Sequence, residues 1–318
     1  MRKAARLLLP ALVFTLLMPS HGKAAAPITD DLLFAHHSVG QDWLDNGLRN
    51  ALIAKAYIDE VNEIYYGDIV LPDTGRPALL GTPAGDSTDM CHWILWFNDY
   101  LLAMKKHDCA NGTNKIIMFK SCFPNSELAE NGTEPGDPFD SARHLVNYKA
   151  IYRHPNGPGR TYSYNSRVYK PLEDIFAANP GTFFIAVTAP SEIPSETCND
   201  WADRARVFNN WLKTTWLNSY YAAHPHLRNV AVFDFFDVLA YANSYTGTEN
   251  YTPVGSPPGN YPVRNMTKSQ YRTGDSHPNV SADQTATVVF ATSPSNFIDA
   301  AWNRWRMSAA RARWTLFR

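Results

Sequence analysis

Apolar runs of strand length alternate along the chain with longer stretches whose apolar residues recur at helical spacing. Asp31 to Ala35 reads as a buried strand. From Asp42 to Tyr57 the residues Trp43, Leu44, Leu48, Leu52 and Ala56 then fall on one helical face. Ile58 to Tyr66 predicts a second strand. Thr88 to Lys106 predicts a long helix that opens at the capping residues Ser87, Thr88 and Asp89 and carries Trp93, Trp96, Leu101 and Met104. Lys115 to Phe119, Thr182 to Thr188 and Asn229 to Phe235 complete the strands, with helices over Asn199 to Tyr221 and Asn296 to Arg311. Strands that are apolar almost end to end must be covered on both faces, so the pattern implies an α/β fold around a parallel sheet of about five strands. Pro- and Gly-rich segments at 72–86, 124–139, 153–166 and 246–264 read as long surface loops, and residues 27–318 as one domain. In such sheets ligands bind outside the carboxyl ends of the strands, which makes the residues after each strand the ones to inspect.

The chain has 318 residues, 45% hydrophobic and 19% charged, a composition that excludes a disordered chain, a coiled coil or a collagen-like fibre. Its 29 basic and 30 acidic side chains are unevenly placed, because residues 1–26 hold Arg2, Lys3, Arg6 and Lys23 and no acid. The remainder carries a net charge of about −5 and no electrostatic footprint for nucleic acid. The basic start, the apolar run Leu7 to Met18 and the small residues Ala24-Ala25-Ala26 have the layout of a secretory signal peptide over 1–26. The run falls short of the roughly 20 apolar residues of a membrane span and contains Pro10. A periplasmic or extracellular mature chain without a membrane span is therefore expected. The four cysteines permit two disulfides or buried thiols. A helix over 88–107 would hold Cys91 and Cys109 about 27 Å apart, too far to bridge, whereas Cys122 and Cys198 both follow strands and are candidates for pairing.

Directly after the first strand comes His36-His37-Ser38-Val39-Gly40. A serine at a strand-to-helix turn presents its hydroxyl at the crevice and its N–H at the positive end of the helix, which suits a nucleophile that generates an oxyanion. Adjacent residues on an extended strand end point to opposite sides, so the two histidines do not share a metal ion and one of them faces the crevice. Lys120-Ser121-Cys122-Phe123-Pro124-Asn125-Ser126 follows the third strand, and Asp275-Ser276-His277-Pro278-Asn279 lies near the C-terminus. His277 is placed to accept the serine proton and Asp275 to orient it, as in a Ser-His-Asp triad. His224 and His226 read as surface residues of a polar turn.

These three motifs resemble the SGNH (GDSL-like) hydrolase superfamily, specifically a bacterial branch with His-His-Ser in place of Gly-Asp-Ser. The resemblance implies a three-layer flavodoxin-like fold, with Ser38 as nucleophile, His277 as base and Asp275 as its partner. It further implies Asn125 and Gly67 as oxyanion donors and no metal or organic cofactor. His37, His92 and Ser121 are assigned to substrate contacts, and Lys120 or Ser121 offers an alternative oxyanion donor. The spacing Asp-x-His replaces the family's Asp-x-x-His, leaving either Asp275 or a backbone carbonyl to orient the ring. The expected function is a secreted serine ester hydrolase acting through an acyl-enzyme on an acylated small molecule or polysaccharide, most simply a carbohydrate O-acetyl esterase. A lipid, aryl or thioester hydrolase, and a non-catalytic carbohydrate-binding protein with a degenerate triad, are the alternatives.

Overall fold

The computed structural model describes residues 30–65, 69–70, 77–78, 90–109 and 113–315. The leader assigned to 1–26 and Gly67 lie outside the described residues. One sheet is built from β1 (Asp30–His36), β2 (Ile58–Tyr65), β3 (Asn114–Lys120), β4 (Phe183–Val187) and β5 (Val230–Phe233). Every neighbouring pair is parallel and the order is β2-β1-β3-β4-β5. This is the expected α/β architecture, in a doubly wound order whose switch point falls between β1 and β3.

Burial explains why the strands were readable. Leu32, Leu33, Phe34 and Ala35 of β1 have no exposed surface, because helices cover both sides of the sheet. On one face Leu33, Ala35, Ile117 and Phe119 pack with Trp93, Trp96, Tyr148 and Phe208. On the other, Leu32, Phe34, Ile116 and Met118 pack with Val39, Trp43, Ala282 and Ala286. The register brings the carboxyl ends level: Ala35 pairs with Phe119, Lys120 with Val187, and Val187 with Phe233. The segments after β1 and β3 therefore leave the same edge side by side.

The helices depart from the periodic reading where the backbone breaks. The first begins at Ser38, kinks at Asn46 and Gly47 (φ 124°) and ends at Ile53 rather than running to Tyr57. Only a glycine adopts that φ without strain. The long helix foreseen over 88–106 is a short turn, Met90–His92, followed by Trp93–Asp99 and Leu101–Lys106 with a break at Tyr100. The structure adds helices Leu145–Tyr152 and Val280–Thr287 to those the spacing predicts, and part of the 246–264 loop is a hairpin of Thr248–Tyr251 with Gly259–Pro262. Cys122 and Cys198 are not bridged, so of the two readings left open that candidate pairing is not made. No helix among the described residues is long and apolar enough to cross a membrane.

Candidate active site

Ser38 is the first residue of the helix Ser38–Trp43, with the extended His37 between it and the end of β1. The two histidines diverge as the strand geometry requires. His36 is fully buried, its ring 4.6 Å from Phe34 and 5.7 Å from Tyr65. Its Nδ1 lies 2.9 Å from the His37 carbonyl oxygen and so carries a hydrogen, while Nε2 faces Glu63 at 3.5 Å. His36, and then Arg49, hold the Glu63 carboxyl below the usual carboxylate range. Gly40 belongs to the same arrangement: a Cβ there would stand 2.4 Å from His36 Cβ. His37 points the other way, with Nδ1 3.4 Å from Ser38 Oγ.

Ser38 Oγ lies 2.8 Å from His277 Nε2, across a sequence separation of 239 residues. His277 Nδ1 lies 3.1 Å from Asp275 Oδ1. A carboxylate partner puts the ring hydrogen on Nδ1, which leaves Nε2 free to accept from the serine hydroxyl. The Asp-x-His spacing works because Asp275 forms an Asx turn, accepting the His277 backbone N–H at 2.9 Å with the same oxygen that meets the ring. A backbone carbonyl is not needed to orient the imidazole. The His277 backbone N–H, with the ring and the Thr273 hydroxyl, holds the Asp275 carboxyl below the usual range, so it stays charged as an acceptor.

The His277 loop is fastened on three sides. Ser276 is buried, its hydroxyl accepting from Ile193 N at 3.0 Å and its N–H donating to Glu196 Oε2 at 2.9 Å. Thr273 Oγ1 donates to the His277 carbonyl at 2.8 Å. Asn279 caps the helix Val280–Thr287 by accepting from Ala282 N. The Phe123 ring packs edge-on against His277 at 5.0 Å. Phe123 opens the turn after β3, so that segment touches the imidazole as well as the serine.

The other site residues divide. Asn125 is buried, and its Oδ1 accepts from Met90 N at 2.8 Å and from the Tyr148 hydroxyl at 3.3 Å. Fixing the oxygen sets the amide flip and makes Nδ2 the donor end. His92 is half-buried in the turn Met90–His92, the turn whose first N–H holds Asn125. Ser121 is not placed for substrate: it is buried and accepts the Trp93 indole N–H at 2.8 Å. Cys122, read as a bridging candidate, instead puts its Sγ 3.5 Å from Ser38 Oγ. Strand parity carries the signal for this exchange. Ile116, Met118, Lys120 and Cys122 alternate onto the face covered by the Ser38 helix, while Ile117, Phe119 and Ser121 alternate onto the Trp93 face.

No protein-family model and no curated protein matches the sequence. Among solved structures, the chain is similar to a protein from Bacteroides fragilis described as a candidate acylhydrolase, at 10% identity and a TM-score of 0.39, over 83% of this chain and 87% of that one. It is also similar to a protein from Streptococcus pneumonia described as a candidate platelet activating factor, at 12% identity and a TM-score of 0.34, over 82% and 83% of the two chains.

Proposed function

We propose that the protein is a serine ester hydrolase of the SGNH type that works through a covalent acyl-enzyme. The observation that carries this reading is the 2.8 Å contact between Ser38 Oγ and His277 Nε2, with Asp275 behind the ring. Ser38 Oγ attacks the ester carbonyl carbon and gives its proton to His277 Nε2, while the carbonyl π electrons move to oxygen. The tetrahedral species collapses, the bond to the leaving oxygen breaks, and His277 protonates that alkoxide. Water then attacks the acyl-serine, passing a proton to His277. Collapse restores the Ser38 hydroxyl and releases the carboxylic acid. Asp275 keeps the proton on Nδ1 and offsets the charge of the imidazolium. The oxyanion is received by the Ser38 N–H and the Asn125 amide, with Gly67 as a further donor. His37 and His92 flank the acyl or alcohol portion of the substrate. The chemistry as written needs no metal or organic cofactor.

The leader over 1–26 supports a secreted or periplasmic enzyme, and the abundance of tyrosine and tryptophan supports a carbohydrate O-acetyl ester as substrate. A lipid, aryl or thioester substrate would use the same steps. Acetate release from acetylated glycans, set against p-nitrophenyl ester hydrolysis, tests the substrate class. Turnover of neither by the secreted chain would favour the carbohydrate-binding alternative.

A further inference from the structure

Lys120, the last residue of β3, is fully buried. Its ammonium donates to the Ser121 carbonyl at 3.1 Å and sits 5.6 Å from the Phe235 ring centroid, and it makes no ion pair among the described residues. Desolvating a buried ammonium that has no ion-pair partner is unfavourable, and an apolar side chain of the same volume serves packing at least as well. Its surroundings give a reason for its presence. The Ser121–Cys122 peptide whose oxygen it holds leads into Cys122, the residue whose Sγ touches Ser38 Oγ at 3.5 Å. The Cys122 carbonyl in turn accepts the Asn125 N–H at 3.1 Å and closes the turn that carries the Asn125 amide.

We infer that Lys120 is a positioning residue of the proposed reaction, its buried ammonium holding the peptide that seats Cys122 against Ser38 and delivers Asn125. The inference rests on the ester-hydrolase reading of that site. Lys120 does not itself reach an oxyanion, since it is enclosed behind the loop. The charged or titratable groups that face it are Cys122 from its own loop, Asp283 from the helix Val280–Thr287 and Asp42 from the Ser38 helix, while the helix after β5 offers the Phe235 ring. Burial pulls the ammonium down to about 8, against the support of those three groups. Positioning by the charged form therefore persists below about pH 8 and fades above it.

The test uses the full chain, p-nitrophenyl acetate and a fluorophosphonate probe on wild type and Lys120→Met. The expected result is a melting temperature equal to or above wild type. It comes with kcat and the Ser38 labelling rate reduced roughly tenfold or more, KM within about twofold, and loss of the wild-type rate decline centred near pH 8. A folded Lys120→Met with wild-type kcat and pH profile overturns the inference while leaving the hydrolase reading intact. If the variant does not fold, the wild-type profile decides, and a flat rate from pH 7 to 9.5 overturns it. Absence of any labelling of wild type at Ser38 removes the hydrolase reading and this inference together.

Discussion

Trp43 donates its indole N–H to Thr287 Oγ1 at 3.0 Å, and that buried bond joins the helix that starts at Ser38 to the helix that follows His277. Trp43 also stacks on Phe235 at 4.8 Å and meets Phe290 edge-on at 5.3 Å. Asn46 adds a second tie to the same helix by donating to Asp283 Oδ2 at 2.8 Å. Two segments separated by nearly the whole chain are thereby held at one sheet edge. Thr287→Val keeps the shape but strands the indole N–H, so it is expected to destabilise the fold by about 1–3 kcal/mol. Urea unfolding checks this, and an unchanged midpoint would show that Trp43 does not depend on Thr287.

The Asx turn at Asp275 predicts a specific failure. Asp275→Asn retains the size of the side chain, but its NH2 end favours the wrong imidazole tautomer. The expected loss in kcat on an activated ester is about 10²–10⁴-fold with KM little changed. Wild-type turnover in this variant would mean that the ring is oriented by something else.

Asn125 allows its donor and acceptor ends to be separated. Asn125→Asp keeps the oxygen that accepts from Met90 and Tyr148 and removes the NH2 donor. A drop in kcat of roughly 10²–10³-fold is expected if that donor receives the oxyanion. Steady-state kinetics with the thermal midpoint measured alongside will show it. A midpoint that falls while kcat holds would assign Asn125 to the fold alone.

Two buried acids whose desolvation outweighs the help of their partners give the protein an unusual pH dependence. Burial, followed by the nearby Glu127 charge, pushes the Glu192 carboxyl up to about 9, and burial pushes Asp283 up to about 7. Between the ordinary Glu value of 4.5 and about 9 the native state keeps the Glu192 proton that the unfolded chain has lost. The native state then binds more protons than the unfolded state, so stability is greatest below that window and falls as pH rises through it, by up to about 1.4 kcal/mol per pH unit. Asp283 contributes with the same sign up to about pH 7. The melting temperature is expected to fall from pH 5 to pH 8.5, and Glu192→Gln to flatten that fall and stabilise the protein at pH 8. A melting temperature that rises over this interval contradicts the assignment.

Gly40 offers a packing test of the His-His-Ser turn. A methyl group there would collide with His36 Cβ, and His36 is confined by Phe34 and Tyr65. Gly40→Ala is expected to cost about 1–3 kcal/mol. Full stability in thermal unfolding would show that His36 can move.

The sequence made the sheet legible because strands buried on both faces leave uninterrupted apolar runs, as in β1 and β4. The pattern does not announce Val280–Thr287, because its buried side mixes Ala282 and Ala286 with Asp283 and Thr287 and so gives almost no hydrophobic period. Asn279, its cap, was the better signal. The meeting of Ser38, His277 and Asp275 is legible because each follows or precedes a regular element at the carboxyl edge of the sheet. Cys122 rather than Ser121 stands beside the serine because the β3 alternation carries on two residues past the strand end. Burial of Lys120 has no local signature, since it arises from the helices at 38–43 and 280–287 closing over the strand end.

Mass mapping of the fluorophosphonate adduct bears most directly on the central claim. A single adduct is predicted on the peptide containing Ser38, absent from Ser38→Ala and slowed by orders of magnitude in His277→Ala. Labelling on another residue, or labelling that survives both substitutions unchanged, would contradict the account.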